Sequence, residues 1–201
     1  MKFIIGKKIE MSGMWDAKGK IAPVTLVEAG PCVVLQKKTK EKEGYDALQI
    51  GFMKIEKKNK IKKTMKGKEY RHVKEQRASG TEQIAGANVG DQITVADFKE
   101  GDVVTVIGTS KGKGFQGGVK RHGMSGRNAT HGAKHEARTI GSIGQRFPQH
   151  TIKGRKMPGR MGSDRVTVKN LIIAKIDAEN NIIALKGAVP GHRGTLLEIK
   201  G

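Results

Sequence analysis

Short apolar runs rich in valine, isoleucine and threonine recur along most of this chain, with turn-forming residues between them. Runs of this kind are typical of β-strands in a sandwich or a barrel. A closed barrel is favoured, because closure removes the exposed edges that many short strands would leave. The pattern predicts an all-β (mainly β) fold. The predicted strands lie near Phe3–Met11, Pro23–Glu28, Cys32–Lys37, Ala47–Met53, Gln92–Val95, Val103–Gly108, Val166–Asp177, Ile182–Lys186 and Leu196–Ile199.

Turn chemistry supports several of these strand boundaries. Asp16-Ala-Lys-Gly19 and Glu28-Ala-Gly-Pro31 each supply a glycine suited to positive φ or a proline of fixed φ. Ala178-Glu-Asn-Asn181 separates two apolar runs and is predicted to form a hairpin loop. Helix is scarce: Tyr70–Ala78 is predicted to form two helical turns, and Thr94–Phe98 is compatible with either helix or strand.

The stretch from residue 110 to residue 165 interrupts the strand pattern. It holds 13 Lys/Arg against two acids, together with 12 glycines and four of the six histidines of the chain. Its few apolar residues follow neither the helical nor the strand period. A segment this basic and this poor in apolar groups cannot bury enough surface to offset its ordering entropy. We therefore expect it to need a polyanion to fold against.

The distribution of charge gives the predicted domain organisation. The net charge is +20, of which residues 110–165 carry +11 and Lys37–Arg77 carry +9, while the remaining residues sum to zero. Localised charge of this kind indicates a defined docking geometry on a polyanion. The predicted body comprises residues 1–109 and 166–201, and residues 110–165 form an extended insertion tethered at both ends.

A basic surface loop is predicted in the body near residues 54–77. The lysines from Lys54 to Lys68 either contact phosphates or form a solvated, mobile surface, and phosphate contact is the favoured interpretation.

No pattern for catalysis or cofactor binding survives its sequence context. Gly112-Lys-Gly-Phe-Gln-Gly117 has the spacing of a dinucleotide fingerprint, but no βαβ unit surrounds it. His131 and His135 are spaced i, i+4 in a glycine-rich segment that lacks further metal ligands. Ser142 does not have the nucleophile-elbow spacing, and acids are too sparse for paired-carboxylate chemistry. The sequence therefore predicts no catalytic residue, no cofactor, no metal and no enzymatic activity.

The single cysteine and the first residues bear on the compartment. Cys32 has no partner for an intrachain disulfide, and its apolar neighbours predict an inert buried thiol. The apolar run at the start is too short for a signal peptide, and no stretch has the length of a membrane span. A cytosolic location is expected.

The basic stretch itself supplies the candidate binding residues. Lys111-Gly-Lys-Gly-Phe115 alternates cations with glycines, so backbone amides and charges can approach phosphates together. Phe115 either stacks on a base or anchors the segment to the body, and the anchor is the favoured interpretation. Histidines here suit hydrogen bonding and stacking to RNA, and arginines suit bidentate phosphate contacts. The candidate RNA-binding residues are Lys111, Lys113, Lys120, Arg121, His122, Arg127, His131, Lys134, Arg138, Arg146, Lys153, Arg155, Lys156 and Arg160.

These residues carry a family resemblance. Gly108-Thr-Ser-Lys-Gly-Lys-Gly-Phe-Gln-Gly117, followed by Val119-Lys-Arg-His122, resembles the signature of the bacterial-type large-subunit ribosomal protein L-three family. The sequence departs from the family at Lys60–Lys68, which is shorter, and near Trp15. Similar segments follow in collinear order along nearly the whole chain, at Val24–Val34, Gly141–Gln145, Lys153–Gly162, Asp177–Asn181 and Lys186–Gly191.

The resemblance implies a translation-protein-like six-stranded β-barrel with a long, irregular Gly/Lys/Arg-rich inserted extension. It implies a structural constituent of the large ribosomal subunit in the cytoplasm. Such a protein binds large-subunit rRNA directly, supports early subunit assembly and helps organise rRNA near the peptidyl-transferase centre. A non-ribosomal RNA chaperone or an RNA-modification factor is the alternative function.

The resemblance also implies partners. Neighbouring large-subunit proteins of the L-fourteen and L-nineteen types are expected to contact the chain. Gln145 matches a glutamine that is N5-methylated in some bacterial members, which implies a glutamine methyltransferase as a further partner.

Overall fold

The computed structural model describes residues 2–15, 19–57, 59, 61–77, 86–132 and 134–201. Over these residues the chain is mainly β, which confirms the predicted fold class. It divides into two compact units, which are described separately below. We call residues 1–109 and 165–201 the body, and Ser110–Asp164 the inserted unit.

Strands account for most of the regular structure. Over the described residues, two short α-helices accompany them, α1 at Lys40–Glu43 and α2 at Gly118–His122, with 3₁₀ turns at Lys63–Met65 and Val95–Asp97. In the described part of the chain, no helix has the length and apolar character needed to cross a membrane. The strands are β1 Phe3–Trp15, β2 Ile21–Ala29, β3 Cys32–Lys38, β4 Ala47–Lys54, β5 Tyr70–Arg77, β6 Gln92–Ile93, β7 Val103–Thr109, β8 Gly114–Gln116, β9 Gly159–Met161, β10 Arg165–Asp177, β11 Ile182–Lys186 and β12 Leu196–Lys200.

Six strands of the body form a closed barrel in the order β1-β12-β7-β10-β11-β2. All neighbouring pairs are antiparallel, and β2 closes the ring by pairing with β1 from Gly6↔Ala29 to Trp15↔Ile21. Branched apolar side chains fill the core; Ile5, Val106 and Ile183 are 0% exposed. Burying each such side chain contributes roughly 1.5–3 kcal/mol, so this core stabilises the body.

The other four strands of the body form a second sheet in the order β5-β4-β3-β6. The predicted helix at Tyr70–Ala78 is wrong, because Tyr70–Arg77 forms strand β5 and Ala78 lies outside the described residues. Strand β5 pairs with β4 from Ala47↔Arg77 to Lys54↔Tyr70. This antiparallel ladder outweighs a weak local helical preference, as tertiary pairing commonly does.

A smaller correction concerns the segment after β6. The predicted strand Gln92–Val95 ends at Ile93, and Val95–Asp97 forms a 3₁₀ turn. Val95 and Phe98 are 1% and 3% exposed and belong to the core cluster of the body. Burial of these two side chains favours the turn, which brings both of them to the core.

The predicted hairpin loop between strands β10 and β11 of the barrel is confirmed. The loop Ala178–Asn181 joins β10 to β11 as a hairpin, and Asn181 adopts a φ of 54°. The Asp177 carboxylate accepts hydrogen bonds from the backbone N–H groups of Glu179 and Asn180 and from the Asn180 side-chain amide. These hydrogen bonds, led by the one from the Asn180 side chain, lower the pKa of Asp177. The predicted turn at Asp16–Gly19 lies largely outside the described residues.

Cys32 begins strand β3 and is 0% exposed, as its apolar neighbours predict. Burial raises the pKa of its thiol to about 11. Its Sγ donates a hydrogen bond to the Ile5 carbonyl at 3.5 Å. A thiol with so high a pKa stays protonated and unreactive near neutral pH.

Candidate nucleic-acid interface

The inserted unit is built without an apolar core. Among its described residues, Gly118 alone is buried. In the described part of the chain, no apolar side chain between Ile107 and Ile173 is buried. It carries 12 Lys/Arg against two acids. Backbone hydrogen bonds and arginine side chains therefore hold this unit together, and the following paragraphs describe them.

Two chain segments pair where the inserted unit begins and ends. We call residues 110–122 the outgoing arm and residues 157–164 the returning arm. The Ser110 N–H donates to the Asp164 carbonyl at 2.9 Å, and the Lys113 N–H donates to the Met161 carbonyl at 2.9 Å. Strands β8 and β9 then pair from Gly114↔Met161 to Gln116↔Gly159. These short elements were not predicted, because three-residue strands leave no period in the sequence.

Helix α2 connects the outgoing arm to the returning arm through two side chains. Arg121 Nη1 donates to the Met157 carbonyl at 2.9 Å, and His122 Nε2 lies 3.1 Å from the same oxygen. Both side chains are half-buried. Among the candidate binding residues, these two alone are half-buried, and both contact the same carbonyl of the returning arm.

The residues between the arms are connected mainly through backbone groups. Arg155 Nη2 donates to the Ser142 carbonyl at 3.0 Å. The Arg127 N–H donates to the Ala137 carbonyl at 3.1 Å, and its guanidinium forms an ion pair with Glu136. That ion pair places a negative charge beside the exposed guanidinium of Arg127.

The other predicted binding side chains face solvent. Exposure leaves their charges available to a large anion, and among the described residues Arg127 is the one candidate that forms an ion pair. The exposed candidates are Lys111, Lys113, Lys120, Arg127, His131, Lys134, Arg138, Arg146, Lys153, Arg155, Lys156 and Arg160.

Two phenylalanines of the inserted unit are also exposed. Phe115 on β8 is 77% exposed, and Phe147 is 65% exposed with the Arg146 guanidinium 5.9 Å from its ring centroid. The favoured interpretation of Phe115 as an anchor is wrong, because the two-stranded β8–β9 ladder has no layer covering this side chain. An exposed ring flanked by cations is a suitable stacking surface for a nucleobase.

Gln145 lies in a cleft of about 440 Å³ within the inserted unit. His150, Lys153 and Arg155 supply polar and cationic groups to its wall, and Ile143 and Ile152 supply apolar surface. His150 and Ile143 line this cleft but are not among the predicted binding residues. No local pattern identifies them, because the loop that brings them to Gln145 has no regular period.

The basic loop of the body is shorter than predicted. It runs from residue 55 to residue 69, since residues 70–77 form β5. Lys57, Lys62 and Lys66 are exposed, whereas Lys68 donates to the Gln36 side chain at 3.0 Å. Lys58 and Lys60 lie outside the described residues. Exposure leaves both interpretations of this loop open.

Ionisable groups of the body form structural ion pairs. A hydrogen bond from Lys38 lowers the pKa of Glu75, and a hydrogen bond from Lys2 lowers the pKa of Asp102. Both carboxylates are partly exposed at the surface of the body. Over the residues that the structure describes, no three histidine, cysteine or acidic side chains are grouped so that they could hold a metal ion.

Comparison with known proteins agrees with the family resemblance. The family model of Ribosomal protein L3 matches residues 36–181. The protein named large ribosomal subunit protein uL3 of Fervidobacterium nodosum is 46% identical, over 100% of this chain and 98% of that protein. The proteins of the same name from Carboxydothermus hydrogenoformans and Corynebacterium jeikeium are 46% and 45% identical, over 99% and 100% of this chain and 96% and 94% of theirs. The chain therefore belongs to the Ribosomal protein L3 family.

Proposed function

We propose that this chain is a structural constituent of the large ribosomal subunit and that its inserted unit binds large-subunit rRNA directly. Its family consists of structural components, so the chain is not an enzyme, and it works in the cytoplasmic ribosome. The body, with a barrel of the translation-protein type, supplies the stable fold to which both ends of the inserted unit are joined.

One observation carries the proposal: the inserted unit combines exposed cations with the lack of an apolar core. A protein segment of this composition repels itself until a polyanion neutralises it. Binding to RNA releases condensed counterions, and each neutralised phosphate adds roughly 0.7–0.9 to the slope of log affinity against log salt.

The binding residues divide by chemistry. Exposed lysines such as Lys111, Lys113 and Lys153 act as point charges on phosphates, and exposed arginines such as Arg138 and Arg160 bind phosphates in bidentate fashion. Phe115 and Phe147 stack on unpaired bases, each contributing roughly 1–3 kcal/mol. Glycine-rich backbone between these side chains allows close approach to the RNA.

The finer role follows from the family resemblance. The chain supports early assembly of the subunit, helps organise rRNA near the peptidyl-transferase centre and contacts neighbouring proteins of the L-fourteen and L-nineteen types. Gln145 is the proposed site of N5-methylation by a glutamine methyltransferase, and its exposed position in the cleft is compatible with enzymatic access.

Chemical footprinting of large-subunit rRNA tests the binding proposal. Full-length protein is expected to protect a small set of nucleotides, and protection is expected to disappear when exposed cations of the inserted unit are replaced by glutamine. Protection spread over the rRNA without site preference would instead indicate an RNA chaperone.

A methyl-transfer or nuclease assay with the purified protein tests the remaining alternative. Incorporation of methyl groups into rRNA, or its cleavage, would indicate an RNA-modification factor. We expect neither.

A further inference from the structure

Arg121 and the returning arm are in close contact within the inserted unit. Arg121 Nη1 donates to the Met157 carbonyl, an acceptor 36 residues away along the chain. The neighbouring His122 ring contacts the same oxygen from the same helix. A hydrogen bond from a guanidinium to a carbonyl is among the stronger ones in proteins, so this contact can hold two chain segments together.

Gly159 makes room for this contact. A Cβ atom added at Gly159 would lie 2.5 Å from Arg121 Nη1 and 3.1 Å from Arg121 Cζ. The guanidinium therefore lies directly on the backbone of the returning arm. Since the guanidinium is the flexible end of a long side chain, a methyl group at residue 159 would displace it while leaving the β8–β9 backbone in place.

Gly118, the first residue of helix α2, is also closely packed. A Cβ atom at Gly118 would lie 2.5 Å from Ile140 Cγ2 and 3.0 Å from Met124 Sδ. Helix α2 thus packs against Ile140 at Gly118, and it contacts Met157 through Arg121. The ends of the segment 123–156 are both fixed next to this helix.

We propose that Arg121 is a positioning residue that clamps the returning arm to helix α2, and that it does not bind a phosphate. The clamp orders the inserted unit before RNA arrives. The inserted unit then loses part of its conformational entropy when the free protein folds, so less entropy is lost when it binds RNA. This proposal rests on the proposed rRNA binding only for its effect on the ribosome; the clamp itself is a property of the free protein.

Thermolysin digestion of the free full-length protein measures the clamp. This protease cleaves before apolar residues, and Ile143, Phe147 and Ile152 are all exposed between the arms. Arg121→Gln is expected to accelerate cleavage there roughly ten-fold, because loss of a charged hydrogen bond raises the open population by about that factor. Arg121→Lys keeps a single donor and is expected to restore part of the protection.

Gly159→Ala tests the clamp without changing any charge. It is expected to reproduce the faster cleavage of Arg121→Gln, because the added methyl group displaces the guanidinium from Met157. Gly117→Ala is the matched control, since an added Cβ there meets no atom within 4 Å. Its cleavage rate is expected to equal that of the unchanged protein.

The salt dependence of rRNA binding separates a clamp from a phosphate ligand. Arg121→Gln is expected to leave the slope of log affinity against log salt unchanged. Lys120→Gln, at the exposed neighbouring position, is expected to reduce the slope by roughly 0.7–0.9. If Arg121→Gln reduces the slope as Lys120→Gln does, or leaves thermolysin cleavage unchanged, the clamp is refuted. If the unchanged protein binds rRNA without site preference, the proposed function is wrong. The clamp is then tested only by the thermolysin cleavage rates of Arg121→Gln and Gly159→Ala.

Discussion

The body and the inserted unit of this chain are stabilised by different interactions. The body buries branched apolar side chains completely in a barrel and a second sheet, and several of its charged side chains form ion pairs. In the inserted unit one glycine is buried among the described residues, and every lysine and arginine except Arg121 is exposed. The comparison teaches that burial stabilises the first unit, whereas the second relies on hydrogen bonds within the chain and on an external anion.

The same substitution should therefore have very different effects in the two units. Ile183→Ala in the body removes a side chain that is 0% exposed and should lower the free energy of unfolding by about 2–5 kcal/mol. Ile143→Ala in the inserted unit removes a side chain that is 42% exposed and should change it by less than about 0.5 kcal/mol. Urea unfolding followed by circular dichroism measures both. Equal losses would show that the inserted unit has an apolar core.

Removing positive charges should weaken rRNA binding more in the inserted unit than in the body. Replacing four exposed lysines of the inserted unit by glutamine should lower the slope of log affinity for rRNA against log salt by about 3, at roughly 0.7–0.9 per contact. Four exposed lysines of the body, outside its basic loop, serve as the matched control and should leave the slope nearly unchanged. A filter-binding titration over a range of salt measures the slope for both variants. The two sets are Lys111, Lys113, Lys153 and Lys156, and Lys40, Lys42, Lys99 and Lys175.

Equal slopes for these two variants would contradict the assignment of rRNA binding to the inserted unit. They would indicate that total charge, and not its position, determines the affinity.

Glycine substitutions sharpen the comparison at a smaller scale. An added Cβ at Gly51 of β4 would lie 2.6 Å from the Tyr70 ring, so Gly51→Ala should destabilise the body by about 1–3 kcal/mol. Gly144→Ala meets no atom within 4 Å and should leave the free energy of unfolding unchanged. Thermal unfolding of the two variants measures the difference. A destabilising Gly144→Ala would mean that the loop around Gln145 is more tightly packed than its exposure indicates.

The buried thiol gives the smallest effect and a pH dependence. The pKa of Cys32 rises from 9.0 to about 11 on burial, so the folded protein retains the proton that the unfolded chain loses. Stability that depends on the neutral thiol is complete below pH 9 and is lost as pH rises towards 11. Cys32→Ser should change the stability profile between these pH values. In the folded protein at pH 8, a thiol reagent should modify Cys32 only at the rate of unfolding, and rapid modification would contradict its burial.

Strand positions and charge could be read from the sequence because both depend on local composition. The strands of the barrel have apolar residues on inward positions, and the basic stretch is visible as a simple count of residues. Helix was wrongly predicted at Tyr70–Ala78 because the ladder with β4 pairs residues that are distant in the sequence.

The sequence predicted which residue types form the candidate site, but not which of them make contacts within the protein. The exposed lysines lie in the basic stretch that the composition identifies. Arg121 could not be distinguished from them, since its acceptor is a backbone carbonyl 36 residues away and carries no sequence signal. The exposure of Phe115 was missed for a related reason: one ring on a three-residue strand does not show which layers cover it.

Removal of residues 112–162 tests the division of labour between the two units most directly. The shortened protein is expected to keep the circular dichroism and cooperative unfolding of a β-rich body, because the apolar core lies entirely outside the removed residues. Its site-specific footprint on large-subunit rRNA should be lost, together with most of the salt dependence of binding. An unchanged footprint and salt slope after this deletion would contradict the assignment of rRNA binding to the inserted unit.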